Sequence, residues 1–157
     1  MNRKIGISLF VIALLVLGFF REMLFVNINS VLYNKYFRPT DAAHIYHPAF
    51  TFLTYFSYKT LYISKWFITL GFVALFWFIQ KKFIFFIFTE KKTLFWLGML
   101  YLSLLLLAGV SLGTGWLFGN LEQGYRFSRI FMGLLQSPVP CMILIPLTYF
   151  YKKQTQL

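Results

Sequence analysis

Long apolar runs broken by short, mostly basic clusters dominate this chain. The first run is Ile5–Phe20, after Asn2, Arg3 and Lys4. A transmembrane helix needs about 20 predominantly apolar residues, so the run is expected to continue past Arg21 and Glu22 to Val26. No small-residue cleavage site follows it, which predicts an uncleaved first helix. A second span is expected at about residues 60–80, stopped by Lys81 and Lys82. A third is expected at about 94–113 and a fourth at about 127–150, closed by Lys152 and Lys153. The fourth contains Ser137-Pro138-Val139-Pro140 near its middle, so a kink or an unwound turn is expected there.

Between the first two spans lies the most polar stretch, from Asn27 to His47. Its Asn, Pro, Asp and Lys residues predict a loop. Pro48 then opens a short helix to Tyr58. Phe50, Leu53 and Phe56 recur at spacing three, a period that suits a short helix in the membrane interface. The segment Phe83–Phe88 is too short to span, and is either an extension of the second helix or re-entrant. Gly113, Gly115, Gly119 and Gly124 predict a flexible connection before the fourth span. The expected fold is all-α: one polytopic membrane helix bundle over residues 1–157, with four transmembrane helices and a short interfacial helix in the first outer loop.

Composition supports the bilayer as solvent. Of 157 residues, 59% are hydrophobic and 12% charged, whereas an ordinary soluble domain is about one quarter charged. The net charge of +11 would point to nucleic acid in a soluble chain. Here the basic residues sit between apolar runs rather than along an amphipathic face, so no nucleic-acid partner is expected. Instead they mark sidedness. Arg3, Lys4, Lys81, Lys82, Lys91, Lys92, Lys152 and Lys153 place eight on one side. Arg21, Lys35, Arg38, Lys59, Lys65, Arg126 and Arg129 place seven on the other. The first set is clustered at helix ends, which favours both termini in the cytoplasm. Tyr62, Trp66 and Trp77 fit aromatic belts.

Few residues are candidates for chemistry. Arg126 and Arg129 open the fourth span one turn apart, and Gly133 and Gln136 continue that face toward the membrane centre. Charged groups at such depth usually face protein or water. Arg21 and Glu22 are expected at a similar level. Glu22 would then pair with Arg126 or Arg129, leaving the other arginine for an anionic ligand or partner. The alternative is helix-end anchoring by snorkelling arginines. Asp41, His44 and His47 repeat at spacing three, but Pro48 disfavours a helical His47, and three such residues make a weak metal set. Cys141, the one cysteine, follows Pro140 in an apolar helix, a setting that disfavours thiolate chemistry. No catalytic residue, cofactor or metal is expected. Ala108, Gly109, Ser111, Gly113 and Gly115 offer small-residue spacing for close helix packing.

Three short patterns carry a resemblance. They are Arg21-Glu22-x-Leu24-Phe25, Tyr58-x-x-Leu61-Tyr62-x-x-Lys65-Trp66, and Tyr125-x-x-x-Arg129-x-x-Met132-Gly133-x-x-Gln136-Ser137-Pro138. Together with the order of apolar runs, they resemble small exosortase-associated membrane proteins of bacteria. The resemblance implies an accessory of an exosortase in the cytoplasmic (inner) membrane. It does not imply the enzyme, since an exosortase's Cys–Arg–His arrangement is not reproduced by Cys141, His44 and His47. The expected function is therefore a non-enzymatic partner subunit of an exosortase-type protein-sorting system. The alternative is a small lipid- or anion-handling membrane protein using the outer arginine pair.

Overall fold

The structure is a computed structural model, which describes residues 3–37, 47–88 and 91–155. Among these residues every regular element is helical: α1 (Arg3–Phe37), a 3-10 helix (Pro48–Tyr55), α2 (Tyr58–Phe88), α3 (Lys91–Leu117), α4 (Leu121–Leu135) and α5 (Val139–Thr155). Three helices, α1 to α3, are long and apolar enough to cross a membrane. A fourth crossing requires α4 and α5 together, which bend by 60° at their junction. The chain forms two compact units. One comprises residues 16–72 and the other residues 1–15 with 73–157.

In the unit of residues 16–72, α1 runs past Val26 to Phe37, where a loop was expected from Asn27. The reason lies in the polar side chains themselves. Asn27 Nδ2 donates to Met23 O at 2.6 Å and Ser30 Oγ to Val26 O at 2.9 Å. Each satisfies itself on the preceding turn instead of competing for the helix backbone. The first proline after the run is Pro39. At 35 residues, α1 measures about 52 Å, more than the roughly 30 Å of a hydrocarbon core.

The segment after His47 adopts a 3-10 helix. Pro48 takes the first turn, where its missing N–H costs nothing, and His47 Nδ1 accepts from Ala49 N at 3.2 Å. Phe50 and Leu53 are buried with Ile28, Val31, Leu32 and Leu61 in one apolar cluster. Phe56 departs from that face and is 46% exposed, because the helix ends at Tyr55 and Phe56 is extended. Two longer-range bonds fix the segment to α1. Asn27 Oδ1 accepts from His47 N at 2.6 Å, and Lys35 Nζ donates to Thr54 O at 2.8 Å. Ser57 Oγ then caps α2 by accepting from Thr60 N at 3.2 Å.

In the other unit, α2 continues through Lys81 and Lys82, where the second span is expected to end, to Phe88. Lysine is a good helix former, and no Gly or Pro intervenes. Phe83–Phe88 is thus a helical extension. Phe83 and Ile84 are buried, and Phe10 lies 5.4 and 5.9 Å from the rings of Phe83 and Phe86.

Helices α3 and α4 form a tight hairpin. The expected flexible connection is short: α3 reaches Leu117, Gly119 turns with φ +69°, and Asn120 caps α4 through Gln123 N. The fourth helical region therefore begins at Leu121, six residues earlier than expected. The small-residue seam lies at Ser111 and Gly115, with Gly109 and Gly113 facing open space. A Cβ on Gly115 would sit 2.7 Å from Gly124 Cα, and one on Gly124 would sit 2.6 Å from Ser111 O. Backbone meets backbone there, as small residues allow.

This crossing predicts a contrast between glycines on one hairpin. Gly124→Ala forces backbone apart and is expected to destabilise by about 1–3 kcal/mol. Gly113→Ala meets nothing within 4 Å and is expected to leave stability unchanged or slightly raised. Thermal denaturation of both variants in mild detergent checks this.

Candidate functional site

The most polar buried place in the unit of residues 1–15 and 73–157 is the junction between α4 and α5. Pro138 and Pro140 have no N–H, so the carbonyls of Leu134 and Gln136 lose their ordinary helical donors. The chain repairs part of this locally. Ser137 Oγ donates to Leu134 O at 2.7 Å and accepts from Val139 N at 3.3 Å. Because Val139 N turns to Ser137, Leu135 O lacks its usual partner. Tyr101 OH, from α3, donates to it at 3.1 Å. Gln80 Nε2, from α2, donates to Ser137 O at 2.7 Å. The ladder of α5 resumes with Met142 N donating to Pro138 O at 3.1 Å.

Two helices therefore contribute a donor each to the broken backbone of the third element. Gln80, Tyr101, Leu135, Gln136 and Cys141 are all buried here. Gln80 Oε1 is a fully buried acceptor without a hydrogen-bond partner among the described residues. A buried unpaired acceptor costs about 1–3 kcal/mol, so the amide is held by its other end. The Cys141 thiol lies in this packed interior rather than in a wet, electropositive cleft of the kind that activates cysteine.

Gln136 and the arginines of α4 occupy different environments. Gln136 closes α4, with its backbone N–H donating to Met132 O at 3.2 Å, and is buried. Arg126 and Arg129 are exposed. The buried stripe of α4 is instead Gly124, Ser128 and Leu135. Arg126 Nη2 pairs with Glu122 Oε1 at 2.7 Å, one turn before it. Within this unit and among the described residues, no ion pair engages Arg129.

In the unit of residues 16–72, Glu22 Oε2 pairs with Arg21 Nη1 at 3.3 Å, and the Arg21 guanidinium lies 5.4 Å from the Phe25 ring centroid. Arg21 is 22% exposed and Glu22 67%. Both carboxylates considered above thus have a basic partner on their own helix. Asp41 and His44 lie outside the described residues. His47 uses Nδ1 to accept from Ala49 N. Among the described residues, no three His, Cys, Asp or Glu side chains come together as a metal site would require.

Gln80 and Tyr101 were not singled out from the sequence. Gln80 sits directly before Lys81-Lys82 and reads as part of a helix end. Tyr101 reads as one more aromatic in a leucine-rich run. The only available signal was indirect: a double-proline break in an apolar helix implies donors elsewhere in the bundle. Comparison with protein-family models, with curated proteins and with solved structures finds no match.

The junction yields an ordered pair of expectations. Tyr101→Phe removes the donor to Leu135 O and is expected to cost about 1 kcal/mol. Gln80→Leu removes the donor to Ser137 O but also the unpaired Oε1, so its net cost is expected to be smaller. Chemical or thermal unfolding of the two variants side by side reads the difference.

Proposed function

We propose that this chain is a non-enzymatic, multi-pass membrane subunit that acts by binding another membrane protein. The observation that carries the reading is Glu22. Its side chain is two-thirds exposed on its own chain. Nearby on the same helix, Phe19, Phe20 and Val26 are also exposed and apolar. A carboxylate among lipid-facing groups is costly and ordinarily faces protein or a wet cavity. Arg21 offsets its charge but does not cover it.

The proposed subunit crosses the membrane four times, with α4 and α5 as one bent span. Two contacts at opposite ends of α3 support this. Gly124 of α4 meets Gly115 near the C-terminal end of α3. Lys92 Nζ, near its N-terminal end, donates to Tyr151 OH of α5 at 2.9 Å. The bent pair therefore runs the length of α3. Legs of 15 and 13 residues, bent by 60° from a straight line, reach about 36 Å end to end, enough for a hydrocarbon core of roughly 30 Å. Four crossings put both termini on one side, taken as the cytoplasm by the clustering of lysines. The 3-10 segment belongs to the opposite interface. The residue patterns around Arg21, Tyr58 and Arg129 make an exosortase-type enzyme of the bacterial inner membrane the proposed partner.

A second reading has its own observation. Arg129 is exposed and, within its unit, engaged by no ion pair among the described residues, whereas Arg126 is held by Glu122. A guanidinium so placed suits a lipid phosphate or another anion.

Purification of the tagged chain from its host membrane in mild detergent tests the two readings. A partner subunit is expected to retain a membrane protein in stoichiometric amount and to lose most of it on Glu22→Gln, with expression unchanged. Recovery of the chain alone, carrying one phospholipid that Arg129→Ala releases, contradicts the partner reading and supports the second.

A further inference from the structure

Five rings at the ends of α1 and α2 form a continuous exposed band. Tyr33 lies 4.7 Å from Phe37, and Phe37 lies 4.8 Å from Tyr36, edge to face. Tyr36 lies 5.8 Å from Tyr58 across the two helices, and Tyr58 stacks on Tyr62 at 6.3 Å and 17°. These separations are those of interacting aromatic pairs. Yet each ring keeps between 38% and 66% of its surface exposed. A patch of this kind marks an interaction surface.

We infer that this band anchors the unit of residues 16–72 in the headgroup layer of the bilayer. Four of the five rings are tyrosines, with an apolar ring and a polar hydroxyl, which is the chemistry of the membrane–water boundary. The band also sits where an apolar surface ends. Beyond Tyr62, α2 exposes Ile63, Trp66, Phe67 and Leu70, a surface suited to acyl chains. Charge points the same way. Near the band, Lys35 lies between Tyr33 and Phe37 in sequence, and exposed Lys59 follows Tyr58 directly. An anionic lipid surface complements those lysines.

The anchor fixes a depth. Arg21 precedes Tyr33 by twelve residues, about 18 Å along the helix axis. With Tyr33 at the headgroups, Arg21 and Glu22 lie within the hydrocarbon, not at its outer edge. The inference rests on the membrane reading above, though not on the identity of any partner.

Nitroxide accessibility measures it. Single cysteines replace Tyr36, Phe20 and Leu105 in a Cys141→Ala background, and the spin-labelled chain is reconstituted in phosphatidylcholine vesicles containing phosphatidylglycerol. The expected result is a Tyr36 label at headgroup depth, intermediate between oxygen and a water-soluble nickel chelate. The Phe20 and Leu105 labels should be reached by oxygen and shielded from nickel. A Tyr36 label as open to nickel as one in water, or as shielded as Phe20, overturns the anchor while Leu105 remains in hydrocarbon. A Leu105 label open to nickel overturns the membrane reading itself, and the anchor with it. Each site is exposed in the fold, and retained helical circular dichroism establishes that the variants are folded.

Discussion

Inside a hydrocarbon layer each backbone N–H and C=O must find its partner within the protein. With α4 and α5 crossing as proposed, their junction is where this chain meets that demand with the greatest difficulty. Two prolines withdraw the donors of Leu134 O and Gln136 O, and Val139 N turns away from Leu135 O; Ser137 answers locally, Tyr101 of α3 donates to Leu135 O, and Gln80 of α2 donates to Ser137 O. The packing of this unit follows from that arrangement. α2 must run past Lys81 and Lys82 so that Gln80 lies well inside a helix. α3 must lie close to α4, and the Gly115–Gly124 crossing supplies the approach. Lys92 and Tyr151 close the far end.

The unit of residues 16–72 solves a different problem. At 35 and 31 residues, α1 and α2 are longer than a bilayer core requires, and the C-terminal end of α1 and the N-terminal end of α2 carry an apolar face to bury. The 3-10 segment does this by placing Phe50 and Leu53 against Ile28, Val31 and Leu32. Asn27 serves both purposes at once. Its amide nitrogen satisfies its own helix, and its oxygen holds the chain at His47. At the C-terminal end of α1 and the N-terminal end of α2, the rings of Tyr33, Tyr36, Phe37, Tyr58 and Tyr62 stay exposed beside Lys59.

The order of apolar runs makes the all-helical architecture legible, because runs of about 20 apolar residues are the length of a membrane-crossing helix. Helix ends were less legible. Asn27–Phe37 reads as loop by residue type, since the sequence does not reveal that Asn27 and Ser30 bond back to their own helix. Lys81–Lys82 reads as a stop because charge ends apolar runs, although it does not end helices. The proline break was visible, but its donors were not, because Gln80 and Tyr101 are ordinary residues made special only by what they face. The arginine stripe of α4 was visible as a face. Its division into exposed Arg126 and Arg129 and buried Gln136 depends on where α4 stops.

Whether the bent pair is one crossing or a re-entrant loop decides the topology of this chain. Cysteine labelling at Leu121 and Gln154, in a Cys141→Ala background, measures this in sealed right-side-out vesicles with a membrane-impermeant maleimide. One crossing predicts labelling of the Leu121 site from outside, and of the Gln154 site only after the membrane is opened. Labelling of both sites from the same side would contradict it, and would make the α4–α5 junction the tip of a loop that enters and leaves one face of the membrane.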